Sequence, residues 1–143
     1  MTTMGRLLGM LFSIVPGLAL AAAPEPNIPN TPAGHALAAW LDAFNSGDSA
    51  RFQSFQQAHA PWMGVDEAMK QRERTGGYDL LTIDQGDKFW IVFRQKERAS
   101  SAQTLGRLVV RSSDADHIRL LGLAPVGANA EDLVLDETGR SRV

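Results

Sequence analysis

RTGGYDLLTID, residues Arg74 to Asp84, is where the chain changes its period. Upstream of Gly76 the apolar residues recur at three and four positions, as on one side of a helix. From Tyr78 onward they alternate with polar ones, as on a half-buried strand. The Gly76-Gly77 pair punctuates the change, because glycine reaches the positive φ that closes a helix. A block of helices followed by a block of strands, without interleaving, predicts an α+β domain rather than an alternating α/β one.

Three helices are expected before the junction. Thr31 followed by Pro32 is a start signal, a hydroxyl to cap and a proline for the first turn, and predicts a helix over Pro32–Ser46. Within "LAAWLDAFNSGD" (Leu37–Asp48), Leu37, Trp40, Leu41 and Phe44 form one stripe, while Asp42 and Asn45 fall off it. Gly47 closes this helix and Asp48 caps the next, expected over Ser49–Ala58, with Phe52 and Phe55 meeting the first stripe. Ala60-Pro61 breaks it. A third helix, over Val65–Arg74, turns Val65, Ala68 and Met69 inward and the charged "KQRER" outward.

After the junction four strands are expected, over Tyr78–Asp84, Lys88–Arg98, Gln103–Ser112 and His117–Val126, with turns at Gln85–Asp87, Ala99–Ser101 and Ser113–Asp114. Links this short force sequential antiparallel pairing, so three N-terminal helices are expected to pack on a four-stranded antiparallel meander over residues 32–126. In the second strand Phe89, Ile91 and Phe93 share one face and Trp90 and Val92 the other, so both faces of the sheet carry apolar residues. A second copy packed on the outer face, giving a homodimer, is one expected occupant.

The ends differ from this middle. Arg6 precedes the apolar run "LLGMLFSIVPGLAL" (Leu7–Leu20), and Ala19-Leu20-Ala21 offers a signal-peptidase pattern, so residues 1–23 read as a cleaved export signal and the protein as periplasmic or secreted. The run is short for a bilayer span, and no membrane association is expected after cleavage, an uncleaved anchor being the alternative. Residues 24–31, "PEPNIPNT", form an extended Pro-rich leader, and residues 127–143 a weakly ordered tail with one short strand-like run, Leu133–Leu135. The chain holds 14 basic and 16 acidic residues; loss of Arg6 with the signal would leave 13 against 16, a formal charge of −3. That balance argues against nucleic acid as a partner. With no cysteine there is no disulfide, thiol nucleophile or thiolate metal site, so the fold rests on the core that about 95 residues can bury.

The phrases "TPAGHALAAWLDAFNSGD" (Thr31–Asp48) and "RTGGYDLLTID" together resemble a periplasmic segment of the nuclear-transport-factor-2-like family, also called cystatin-like or SnoaL-type. In proteobacterial proteins that segment lies upstream of beta-lactamase-type serine hydrolases and C-terminal-processing-type peptidases. The resemblance covers about Thr31 to Val126 and implies that the three N-terminal helices pack on a curved four-stranded antiparallel meander, the cone-like fold of that family, and that the role is an accessory one. Hydrolase activity is not carried over with it, because the chain has no G-x-S-x-G and no S-x-x-K.

Enzymes of the cone fold use a carboxylate or histidine base in a dry pocket with a nearby donor. The catalytic candidates here are Asp79 and His59 as bases and Tyr78, the only tyrosine, as donor; Asp84 is a second acid near a strand end, where a turn cap is the ordinary role. His35, His59 and His117 lack metal-ligand spacing, so neither metal nor cofactor is expected. Trp40, Phe44, Phe55 and Trp62 are the candidate ligand-binding set, with Phe52 beside them: core if the space between helices and sheet is filled, cavity lining if it is open. Arg94, Arg107 and Arg111 on adjacent strands are candidates to gather an anionic group. The sequence thus favours an exported, non-catalytic binding or accessory domain for a small apolar ligand or a protein partner such as a periplasmic hydrolase. The alternatives are a small isomerase or lyase and a truncated remnant of a hydrolase's N-terminal segment.

Overall fold

A computed structural model describes residues 25–127. The expected export signal and the expected tail from residue 128 lie outside the described residues, as does Leu133–Leu135. Three helices, α1 (Pro32–Ser46), α2 (Ser49–His59) and α3 (Val65–Thr75), precede four strands, β1 (Tyr78–Gly86), β2 (Trp90–Glu97), β3 (Gln103–Arg111) and β4 (Asp114–Pro125). The strands pair antiparallel in the order β1-β2-β3-β4, an open meander and not a closed barrel.

The local signals explain the helices. Thr31 Oγ1 accepts from the Gly34 backbone N–H at 3.1 Å, and Pro32 occupies the first turn, where its missing N–H leaves no helical bond unmade. Gly47 takes φ 67° and donates its N–H to Phe44 O, closing α1; a side chain there would strain the left-handed backbone. Asp48 Oδ1 then accepts from Ala50 N and Arg51 N, which starts α2 at once. α3 begins on Gly64 without a side-chain cap, but Asp66 and Glu67 in its first turn and Arg72 and Arg74 in its last complement the helix dipole.

The element ends differ from the expected ones for identifiable reasons. α2 and α3 each run one residue further than expected. β1 extends through Gly86 because Gln85 and Gly86 still pair with Val92 and Ile91. The β1–β2 turn shifts to Asp87–Phe89, where Asp87 Oδ1 accepts from Phe89 N at 2.7 Å and Trp90 N at 3.1 Å. β2 therefore starts at Trp90, not Lys88. The β3–β4 turn is only Ser112-Ser113, with Arg111 opposite Asp114, so β4 starts three residues before His117. Register shifts within Leu80–Gln85 of β1 and, in β4, opposite Val109–Arg111 of β3 leave extra residues of β1 and β4 without a partner, which bends and twists the sheet.

The helices cover one face of that sheet. Ile91, Phe93, Leu108, Val110 and Ile118 pack there with Leu37, Trp40, Leu41 and Phe44 of α1 and Phe52 and Phe55 of α2. Phe93 folds its ring back over Gly106, directly across the β2–β3 ladder; a Cβ on Gly106 would lie 2.3 Å from Phe93 Cζ. The absent side chain is what lets the ring lie flat on the sheet. On the outer face Val92 and Leu105 are buried with Trp90 and Ala124 against them, so the two-faced alternation expected for β2 is found. α1 is tied to the start of the sheet by Asn45, whose Oδ1 accepts from Tyr78 N at 2.8 Å and whose Nδ2 donates to Tyr78 O at 2.9 Å.

Candidate functional site

α1 carries the aromatic centre of the molecule. Its i, i+4 pair Trp40 and Phe44 stacks at 5.6 Å between centroids, Phe44 stacks on Tyr78 at 5.2 Å, and Phe52 meets Phe44 edge-on at 6.5 Å. All four rings are almost completely buried, so they are core first.

They are also a floor. Between α3, the α2–α3 link and the inner face of β4 lies an open cleft of about 390 Å³ with Trp40, Phe44 and Phe52 at its base. Leu121 and Leu123, two apart on β4 and so on one face, form one wall. Met63, Ala68 and Gln71 form the other, and Glu67 stands at the rim with its side chain mostly in solvent. Trp62 closes one end: it is 49% exposed, yet its indole Nε1 donates to Ile118 O at 2.8 Å, which fixes a half-exposed ring in one place. An apolar floor, apolar walls and two polar groups, Gln71 and Glu67, suit a small, mainly apolar molecule.

The cleft is open because α3 stands off the sheet. Thr75 is its only fully buried residue, while Val65, Ala68 and Met69 pack only partly against the core. The "KQRER" run is not wholly outward as expected. Gln71 Nε2 donates to Tyr78 Oη at 2.8 Å, and Arg72 donates from Nε and Nη2 to Asn45 O at 3.3 and 3.1 Å. These two side chains hold α3 to α1 and β1 where apolar contacts are sparse.

Of the four candidate ligand-binding residues, Trp40, Phe44 and Trp62 line the cleft. Phe55 does not; it is buried between Phe52 and His59, at 5.6 and 5.4 Å between centroids. Phe52 takes the place at the floor. Leu121, Leu123, Met63 and Gln71 were missed, although the two-residue spacing of the leucines in "HIRLLGLAPV" was a usable signal.

The three catalytic candidates do not share a site. Tyr78 faces the core, and burial raises its phenol above the ordinary value while the Gln71 hydrogen bond draws it back down. Asp79 follows on the outer face and pairs with Arg98 at 2.7 Å. His59 Nδ1 lies 2.7 Å from Asp116 O at the end of α2. An acid–base pair drawn from these residues has no common substrate position. Asp84 bonds Thr82 Oγ1 and Arg94 Nε; partial burial pushes its carboxyl up, but these two bonds and the Arg94 charge outweigh that and leave it lowered. Arg94 is thus engaged, whereas Arg107 lies over the Trp90 ring at 5.9 Å. His35 and His117 face Asn30 and Asp114, and among the described residues no three His, Asp or Glu side chains are grouped to hold a metal ion.

No family model, curated protein or solved structure matches the chain.

Proposed function

We propose that the protein is an exported, non-catalytic binding module whose cleft between α3 and β4 holds a small apolar ligand. The supporting observation is the cleft itself: about 390 Å³, floored by Trp40, Phe44 and Phe52 and walled by Leu121 and Leu123. Its polar groups are few and peripheral, so they orient a ligand without reacting with it. The export part of the reading rests on the sequence of residues 1–23.

The test is titration with the neutral apolar fluorophore N-phenyl-1-naphthylamine. The expected result is saturable, one-to-one binding with energy transfer from tryptophan, weakened about tenfold by Ala68→Trp, which fills the cleft from α3 with a side chain too large to share the space. Absence of saturable binding, or binding indifferent to Ala68→Trp in a folded variant, overturns the proposal.

A further inference from the structure

The outer face of the sheet carries a charge pattern with no counterpart among the described residues. Alternation along β3 sends Leu108 and Val110 into the core and turns Arg107, Val109 and Arg111 outward. Two other outward cations of this sheet are engaged: Arg94 with Asp84, Arg98 with Asp79. Arg107 and Arg111 make no ion pair with a described residue, and Arg107 Nε is buried without a hydrogen-bond partner. Val109 and Arg111 border a surface hollow shared with Arg119 of β4. The outward pattern is therefore Arg-x-Val-x-Arg on a half-buried apolar ground.

The chain beyond Gly127 contains its complement. RLVVR at Arg107–Arg111 is answered by DLVLD at Asp132–Asp136, in which Asp132, Val134 and Asp136 have the same spacing. In an extended run such residues share one face. The starting point suits it as well: Ala124 already packs in the outer cluster with Val92 and Leu105, Val126 is 44% exposed, and Gly127 has φ 112°, a conformation that lets the chain reverse. Asp132 lies five positions after Gly127, a reach of up to roughly 17 Å. Arg107 pairs with Gly122, five residues back along β4, so the distances match.

We propose that the segment Asp132–Asp136 of this chain docks on the outer face of its own sheet, Asp132 meeting Arg107, Val134 meeting Val109 and Asp136 meeting Arg111. The docked segment covers the remaining apolar ground and supplies carboxylates to two arginines that the sheet leaves without them. This surface is opposite the ligand cleft and does not depend on it.

The absence of native cysteine makes the test direct. Val109→Cys with Val134→Cys in the otherwise unaltered chain is oxidised mildly, against a control pairing Val134→Cys with Gln57→Cys on the exposed side of α2. The expected result is an intramolecular disulfide formed at least about tenfold faster than in the control, slowed by Arg107→Asp with Arg111→Asp and restored when Asp132→Arg and Asp136→Arg are added. The restoring swap separates lost charge pairing from lost folding. Equal rates in both pairs, a disulfide joining two chains, which would mean that a second copy occupies the face, or no recovery in a folded charge-swapped chain would each overturn the proposal.

Discussion

α1 and α3 lie on the same face of the sheet and do different work. Eight of the fifteen residues of α1 are buried, and both its ends are capped by the expected residues. α3 buries Thr75 alone, starts on an uncapped glycine and is held by Gln71 and Arg72. One helix is a structural wall and the other is a wall of the cleft. The contrast teaches that a small domain keeps an open site by putting its packing into one helix and leaving another attached through a few polar contacts, where local stability is lowest.

Phe44→Ala attacks the first half of that contrast. It removes the ring between Trp40, Phe52 and Tyr78 and should destabilise by about 3–5 kcal/mol, read from denaturant unfolding. A loss below about 1 kcal/mol would break the distinction. Asn45→Ala comes next: it leaves both backbone groups of Tyr78 without these partners, and about 1–3 kcal/mol should be lost.

The hold of α3 on the core is open to a spectroscopic reading, because Tyr78 is the only tyrosine. Alkaline titration followed at the tyrosinate band should place Tyr78 above the ordinary value near 10, and Gln71→Leu should move it higher by removing the hydrogen bond that favours the phenolate. The sign for stability follows. The folded state keeps its proton to higher pH than the unfolded one, so this contribution is complete below about pH 10 and is lost as pH rises through the folded value. Gln71→Leu with an unchanged titration would mean that α3 is not anchored there. The smallest effect is a gain: Gly64→Ser creates Ser-x-x-Glu with Glu67, a capping box, at a position where the added Cβ meets only Glu67 Cβ, at 3.7 Å. A rise of a few tenths of a kcal/mol is expected by thermal unfolding.

The same contrast explains what could be read from the sequence. α1 was legible to the residue because its signals are local: Thr31-Pro32 at one end, Gly47-Asp48 at the other and a strict apolar stripe between. The faces of β2 were legible for the same reason. Turn positions slipped where one side chain decided them, as Asp87 does for the β1–β2 turn. The cleft was only half legible: its floor follows from the α1 stripe, but its openness depends on how far α3 stands from the sheet, and periodicity carries no distance. Phe55 and Phe52 look equivalent in sequence, three residues apart, and only the packing of α2 assigns one to the floor and the other to the interior.

Asn45 joins two points of the chain 33 residues apart and so closes a loop that contains α2, the link and α3. The entropy of closing a flexible loop grows only logarithmically with its length, about 0.6 kcal/mol for each doubling, so residues added in the exposed link at Pro61-Trp62 burden the closure very little. α3 and its link can therefore be lengthened or exchanged as a unit while α1 and the sheet stay closed by the same two hydrogen bonds. In polymer terms the cleft is bounded on one side by an insert whose place is set by its points of attachment, Trp62 on Ile118 O and Gln71 and Arg72 on Tyr78 and Asn45, rather than by the length of chain between them.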